Sequence, residues 1–479
     1  MSASFLNMDK ILLTIKRYIP KKVFTLLWPL YHFFLGVAAN IIYRWPSEKL
    51  IVIGVTGTTG KTTTSYLIAK MLQGAGYKVG YTSTAMFGDG EKEWLNNKKM
   101  TMVGRLFTHK MLRQMVSNGC HFAVIETSSE GIIQYRHRFI NYDILLFTCL
   151  YPEHIEAHGS FENYKEAKGM LFAHLKDGKT KYTGEDLKIK RPKTGLQKTE
   201  LHRIKKTIVV NGNDEHADYF LDFWAEEKWA YILTEVGKSK PIFNSEVTQI
   251  VASASKVEGQ TFLNMGEDKV KVNLLGDFNR QNVLAALSVG ISRAIPLESL
   301  RTGIEGISGV AGRLERIESG QPFTVIIDYA FEPQAVNQLY ETVIALPHER
   351  IIHVLGSAGG GRDKSRRPVL GEIAGRRADI MIVTDEDPYD EEPLAIINQV
   401  VAGATETKKK LNVDLFVYLD RRQAINKALS QAQPGDVVLI TGKGSEQAIC
   451  RAKGMKESWD DRSVCREELS HLGYQPVDN

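Results

Sequence analysis

The run Val55-Thr56-Gly57-Thr58-Thr59-Gly60-Lys61-Thr62-Thr63-Thr64 follows directly on the apolar stretch Leu50–Gly54. A buried strand, a glycine turn and a helix that opens on Lys-Thr-Thr form the layout that cradles nucleotide phosphates. Backbone N–H groups and the helix N-terminus face the anion, Lys61 neutralises charge, and a threonine hydroxyl can reach Mg²⁺. The helix is supported independently, because Leu67, Ile68, Met71 and Leu72 share one face and Gly74 and Gly76 follow it. Val55 stands where the standard spacing has its first glycine, so an ordinary Gly/Thr turn is the competing reading. The strand–turn–helix context favours binding of ATP or GTP.

At 479 residues the chain has length for two or three domains. Its 24% charged and 43% hydrophobic residues are those of an ordinary globular protein. The net charge of +5 is diffuse, with no basic stripe interleaved with aromatics, which argues against a nucleic-acid partner. Cys120, Cys149, Cys450 and Cys465 show neither metal spacing nor a disulfide framework and fit a reducing cytoplasm. The N-terminus stands apart. Val23–Tyr43 has no Asp, Glu, Lys or Arg, is flanked by Lys16, Arg17, Lys21, Lys22 and Arg44, and is long enough to cross a bilayer. Pro29, His32, Gly36 and Asn40 weigh against a span, and no small-residue cleavage site follows. The expectation is a helix packed on the protein or lying on the cytoplasmic face of a membrane, with a true span as the alternative. In either case the catalytic body belongs in the cytoplasm.

Beyond Pro46, β-rich runs at Leu50–Val55, Phe122–Glu126 and Ile144–Phe147 alternate with helical stretches, the rhythm of a mostly parallel α/β sheet. From about Asp177 to Asn273 that rhythm changes. Lysine-rich Lys179–Lys206 reads as an exposed loop, and the short runs Thr207–Val210 and Ala230–Leu233 as parts of a small antiparallel subdomain. A helix resumes at Asn279. A second α/β unit, Rossmann-like, begins after Gly312-Arg313, with strands at Phe323–Ile327, Ile351–Leu355, Ile380–Val383 and Val437–Ile440. The division expected is a hydrophobic, basic helical segment at 1–48, a central nucleotide-binding domain at 49–311 and a C-terminal domain at 312–479.

Phe122–Glu126 is an apolar strand ending in a carboxylate, a common way to hold Mg²⁺ beside a phosphate loop. His154 and His158 lie four apart, but no third ligand accompanies them at a zinc spacing, and residue chemistry alone leaves His154 undecided. Lys168, on the helical stretch Tyr164–Phe172, reads by itself as a surface lysine.

Taken together these motifs resemble the Mur ligases, in particular the members that add the third amino acid of the peptidoglycan stem peptide. The resemblance runs from about Lys49 to Leu469. It rests on Gly57–Thr64, Glu126-Thr-Ser-Ser129, Glu153-His154 with His158-Gly159, Ala167-Lys168 with Leu171-Phe172, and Gly276-Asp-Phe-Asn279-Arg-Gln-Asn282. It continues through Gly312-Arg313-Leu-Glu315, Asp328-Tyr-Ala, Gly361-Arg362-Asp363 with Arg367-Pro368, Asp385–Pro388, and Gly442-Lys-Gly-Ser-Glu446.

The resemblance implies an ATP-dependent amide ligase of peptidoglycan synthesis, with small-molecule substrates: a precursor peptide and an amino acid. It assigns Gly57, Thr58, Thr59, Gly60, Lys61, Thr62 and Thr63 to ATP. Two Mg²⁺ sites would draw on Thr62, Glu126, His154 and a carbamylated Lys168. Asn279 and Asn282 would contact adenine, and Arg313 and Asp328 would close onto the nucleotide. Thr101, Ser128, Gln134 and Arg136 fall to the acceptor, and Arg362, Asp387, Tyr389, Gly442 and Glu446 to the amino acid.

The sequence departs from the family in four places. Residues 1–48 are too few for the family's N-terminal UDP-binding domain, which puts a UDP-linked acceptor in question and suggests a membrane-adjacent or lipid-linked one. Diaminopimelate-adding members read Asp-Asn-Pro-Arg where this chain reads Glu386-Asp387-Pro388-Tyr389, and a tyrosine cannot pair with a second carboxylate. The acids Glu386, Asp387, Asp390, Glu391 and Glu392 favour lysine or another diamino acid, with a solvated acidic loop as the plain alternative. Glu130 and Phe331 replace family histidines. Two other readings compete with the Mur type: a folylpolyglutamate or poly-γ-glutamate synthase, and a non-catalytic nucleotide-binding scaffold at the membrane.

Overall fold

The computed structural model describes residues 21–153, 158–190, 201–234 and 243–475, with side chains from Tyr31 onward. Ile51–Thr56 lies near the middle of an eleven-stranded sheet and is buried along its whole length. It pairs in parallel with Phe122–Glu126 on one side, where Val55 faces Glu126, and with Ile144–Phe147 on the other. Such strands are near-continuous apolar runs because helices cover both faces. On one face lie Leu67 and Leu72 of the helix Lys61–Gly74, Val283 and Leu287 of Phe278–Ile291, and Leu300 of Leu297–Glu305. On the other lie Leu112 and Met115 of Arg105–Ser117 and Leu171 and Phe172 of Phe161–Ala173. Gly74 lets the first helix meet Gly303 backbone to backbone, since a Cβ there would stand 2.3 Å from the Gly303 Cα.

The middle stretch differs from its sequence reading. Thr207–Asn211 and Glu227–Thr234 are parallel members of the main sheet, not parts of a separate subdomain. Short, fully buried apolar runs carry no periodicity that reveals which sheet they join. Val247–Val257 adds to Glu227–Thr234 in parallel, the antiparallel strands Gln260–Met265 and Asp268–Val272 then extend that same sheet at one edge, and the antiparallel Met86–Gly88 and Glu93–Leu95 do so at the other. A separate three-stranded antiparallel sheet (Lys181–Thr183, Ile189–Lys190, His202–Ile204) occupies the region read as an exposed loop. Its anchor is a buried ion triad. Lys181 Nζ and Lys206 Nζ lie 2.5 and 3.0 Å from the two oxygens of Asp143, all three residues almost wholly inaccessible.

A second sheet runs in the order Glu315–Arg316, Thr324–Asp328, Val437–Thr441, Ile351–Leu355, Ile380–Thr384, Leu415–Tyr418, parallel except at its first strand. Pro333–Ile344, Arg366–Arg377 and Pro393–Thr405 pack on one face, and Arg421–Gln431 and Asp461–His471 on the other. This is the mixed α/β architecture expected.

The helix Lys21–Tyr43 rests on the first unit. Phe33 meets the Phe139 ring edge-on at 5.2 Å, Gly36 sits against that ring, and Asn40 Nδ2 donates to Phe139 O at 3.0 Å. Among the described residues no helix is long and apolar enough to cross a membrane, so the span is set aside.

Candidate active site

The loop after Ile51–Thr56 is wrapped tightly. Gly57 has φ +152° and leaves a Cβ no room, 1.9 Å from Thr148 Oγ1, while Gly60, at φ +80°, turns the chain into the helix Lys61–Gly74. Thr58 N donates to Cys149 O at 2.8 Å and Thr148 Oγ1 to Thr59 O at 2.6 Å. Lys61 Nζ folds back on Thr58 O at 2.6 Å. Lysine and helix N-terminus thus converge on one mouth, the requirement for an anionic phosphate chain.

Glu126, at the end of the adjacent strand, is buried and accepts from Thr62 Oγ1 at 3.0 Å, from Thr84 N at 2.6 Å and from Thr84 Oγ1 at 2.9 Å. Thr84 Oγ1 also contacts Thr101 Oγ1 at 3.0 Å, which connects the phosphate loop to the first of the residues expected to meet the acceptor. Lys168 is no surface residue. It is buried, its Nζ donates to Gly57 O at 2.8 Å, and it lies 4.3 Å from the centre of the Tyr164 ring. Burial, reinforced by the charge of Lys61, holds this amine well below the ordinary lysine range. Burial also raises the neighbouring Glu153 carboxyl, against the pull of Lys61 and Lys168. His154 lies outside the described residues. His158 faces Ser129 Oγ at 3.1 Å, and among the described residues no three His, Cys, Asp or Glu side chains gather as a metal centre. The Thr62 hydroxyl and Glu126 carboxylate are hard oxygen donors, a set suited to Mg²⁺ that keeps most of its shell in phosphate and water.

Of the other residues expected at the acceptor, Ser128 caps the helix Ser129–Ile133 by accepting from Gly131 N at 3.2 Å. Gln134 Oε1 accepts from Arg136 Nη2 at 2.6 Å, and Arg136 also donates to Met102 O, which fixes both beside Thr101. Asn279 and Asn282 are bonded to each other at 2.8 Å, and Thr64 Oγ1 donates to Asn282 Oδ1 at 3.2 Å. This pair braces the phosphate loop from behind.

The second unit reaches the loop through Arg313, whose Nη2 donates to Thr62 Oγ1 at 3.2 Å and whose guanidinium lies 4.3 Å from the centre of the Tyr329 ring. Asp328 accepts from Leu314 N and Ala330 N, both at 2.7 Å, and so orients that turn. Asp387 and Glu446 come together around Lys443 Nζ, at 2.9 and 2.7 Å. Gly442, at φ +100°, approaches Glu386 so closely that a Cβ would lie 2.4 Å from its Oε2. Tyr389 packs on Gly360, and Arg362 is exposed.

The acidic run is for the most part not a solvated loop. Asp385 pairs with Arg451, Asp390 accepts from Lys453 N, and Glu391 pairs with Arg367 and Lys364. Sequence reasoning missed Thr84, whose position beside Glu126 depends on the sheet. It also missed Lys99, whose Nζ crosses from the first unit to Asp387 at 2.6 Å and Glu446 at 3.0 Å. No local pattern distinguishes Lys99 from Lys98.

A phosphate loop on a parallel sheet, its acid on the next strand and a second α/β unit touching the loop define an ATP-using enzyme in which two units share one site. Residues 55–290 match the Mur ligase middle domain, and residues 312–444 the family described as Mur ligase, glutamate ligase domain. A UDP-N-acetylmuramyl-tripeptide synthetase of Roseiflexus sp. is 36% identical over 442 residues, covering 92% of this chain and 82% of the relative. A UDP-N-acetylmuramoyl-L-alanyl-D-glutamate–2,6-diaminopimelate ligase of Geobacillus kaustophilus is 32% identical, covering 92% and 83%. A solved structure of a ligase of that same description superimposes with a TM-score of 0.55 at 26% identity, covering 89% of this chain and 79% of its own. A folylpolyglutamate synthase of Mycobacterium tuberculosis, at TM-score 0.60 and 14% identity, covering 93% and 96%, shares the fold. The chain belongs to the Mur ligases, ATP-dependent enzymes that form a C–N bond on peptidoglycan precursors.

Proposed function

We propose that this chain uses ATP to activate a carboxylate of a peptidoglycan-precursor peptide and then joins to it the amine of an amino acid. The observation that carries this reading is the unbroken contact chain from Thr62 through Glu126 and Thr84 to Thr101, which sets the phosphate loop beside the acceptor residues. The acceptor carboxylate attacks the γ-phosphorus of ATP and ADP leaves, while Lys61 and Arg313 steady the charge that spreads over the transferring phosphoryl group. The amino acid's neutral amine then adds to the acyl carbon, loses a proton, and expels phosphate to leave an amide. Contact between the two units keeps water from the acyl phosphate.

Thr62 and Glu126, with His154 and a carbamylated Lys168, would hold Mg²⁺ at two sites, and those ions would neutralise phosphate charge. Lys168 would be carbamylated: a buried neutral amine adds to carbon dioxide, a proton leaves, and an ammonium position becomes an anion. Its closeness to Gly57 and its depressed basicity support this. The roles of Asn279, Asn282, Ser128, Gln134, Arg136, Arg362 and Tyr389 are proposed as the family resemblance gives them, as is the division at 49–311 and 312–479. The amino acid is proposed to be lysine or another diamino acid, supported by Tyr389 in place of an arginine and by the acids near Lys443. Exposed Phe34, Ile41, Ile42 and Trp45 support contact of the N-terminal helix with the cytoplasmic face of a membrane.

The test is mass spectrometry of products formed from ATP, a panel of precursor peptides and mixed amino acids, with phosphate release followed in parallel. The reading requires release that depends on both acceptor and amino acid, and a product heavier by one amino-acid residue. Release that needs neither would point to a nucleotide-binding scaffold with idle hydrolysis. Carbon dioxide depletion should lower wild-type turnover, with recovery on adding bicarbonate.

A further inference from the structure

Two lysine ammonium groups share one set of acceptors at the junction of the two units. Lys443 Nζ donates to Asp387 Oδ1, Glu446 Oε2 and the Ala448 carbonyl, the last at 2.7 Å. Lys99 Nζ approaches Asp387 Oδ2 at 2.6 Å, Glu446 Oε2 at 3.0 Å and the same Ala448 carbonyl at 2.9 Å. The two are not equivalent. Lys443 belongs to the acid-bearing motif, three residues from Glu446, and is wholly enclosed. Lys99 comes from the other unit, so it must withdraw whenever the units part.

The turn that carries Lys99 is built for the purpose. Lys99 adopts φ +53°, a left-handed conformation costly for a side chain of this size. Asn96 holds the turn by donating to Met100 O at 3.0 Å and accepting from Lys98 N at 2.8 Å. Thr101, two residues on, touches the chain that leads to Glu126, so Lys99 stands where acceptor and amino acid meet.

A third carboxylate adjoins this cage. Glu386 is only 4% exposed, and its Oε2, beside Gly442, has no hydrogen-bond partner among the described residues. A buried carboxylate oxygen left unsatisfied is costly, and a bound cation would satisfy it.

We propose that Lys99 determines amino-acid specificity: its ammonium is a tethered occupant of a subsite, formed by Glu386, Asp387, Glu446 and the Ala448 carbonyl, that takes the side-chain ammonium of a diamino acid. This rests on the amino-acid ligase reading above. The substrate's ammonium displaces that of Lys99, while Lys443 stays in place. A neutral side chain of equal length gains nothing from the exchange.

Calorimetric binding of L-lysine and L-norleucine to the full chain with ADP tests this. Lys99→Met removes the tethered charge and should tighten L-lysine at least tenfold while L-norleucine changes less than twofold. Lys99→Arg, which keeps a cation on the tether, should leave the lysine-to-norleucine ratio within about threefold of wild type. Glu386→Gln should lower that ratio in the otherwise unchanged chain. An unaltered ratio in Lys99→Met, or weakening of both ligands together, overturns the proposal and makes Lys99 a fixed latch between the units. The ligase reading fails separately, if no amino acid promotes phosphate release by wild type while Lys99→Met still gains L-lysine.

Discussion

Glu126 carries the densest set of contacts at the phosphate loop, and three donors hold its carboxylate in one orientation. Glu126→Gln preserves shape but removes the charge that Mg²⁺ would meet. Its kcat for phosphate release should fall by about 10²–10³-fold, the usual cost of losing one preorganised electrostatic group, with the melting temperature nearly unchanged. Glu386 makes the opposite kind of prediction. Burial, and then Asp387, push its carboxyl up to about 7, above its unfolded value. The protonated form is therefore the one folding favours, and this stability is fully present below the unfolded pKa and lost as pH rises through 7. Glu386→Gln should raise the unfolding free energy at pH 8 by up to about 3 kcal/mol, and the gain should vanish near pH 4. Thermal melts of both chains across that range would check it, and a gain independent of pH would contradict it.

Among the elements, the small sheet Lys181–Thr183, Ile189–Lys190 and His202–Ile204 and the segment that follows it show how single lysines of a polar stretch come to be buried. Two lysines enter the protein because Asp143 receives both, and Lys181 Nζ also donates to the Leu50 and Asn141 carbonyls at 2.8 Å. Asp143→Ala strands two buried ammonium groups and should cost about 3–5 kcal/mol, read as a drop in the denaturant midpoint. Substituting Lys179, which is exposed, should change little. The N-terminal helix offers a second test. If its exposed Phe34 and Ile41 meet lipid, the full chain should sediment with anionic vesicles and Phe34→Ser/Ile41→Ser should not. Equal recovery of both chains in the supernatant would dismiss membrane contact.

On the scale of the whole molecule, two α/β units meet at one site through Arg313 on Thr62 and Lys99 on Asp387 and Glu446. Arg313→Ala removes the charge that the second unit brings to the phosphate loop. It should lower kcat by roughly 10²-fold or more, while ATP still binds to the isolated contacts of the first unit. A loss of ATP affinity without loss of kcat would place Arg313 in ground-state binding instead. The alternation of strands and helices was legible along the chain, as were the glycine loop Gly57–Thr64 and the strand-end acid Glu126, since each is marked by its own local order. Membership of the main sheet by Thr207–Asn211 and Glu227–Thr234 was not, because a buried strand carries no mark of its neighbours.

The sequence by itself determined the phosphate loop, its glycines, and the set of ordered motifs that marks a Mur ligase. These are encoded locally: a turn needs glycine at positive φ, and a helix N-terminus needs its lysine and threonines at fixed offsets. Only the tertiary structure decided that Lys168 is a buried amine beneath Gly57, that Asn282 braces Thr64, and that Lys99 reaches the acids of the other unit. Burial and charge pairing arise between segments far apart in the chain. No window of sequence contains the partner that turns a surface-type lysine into a buried one.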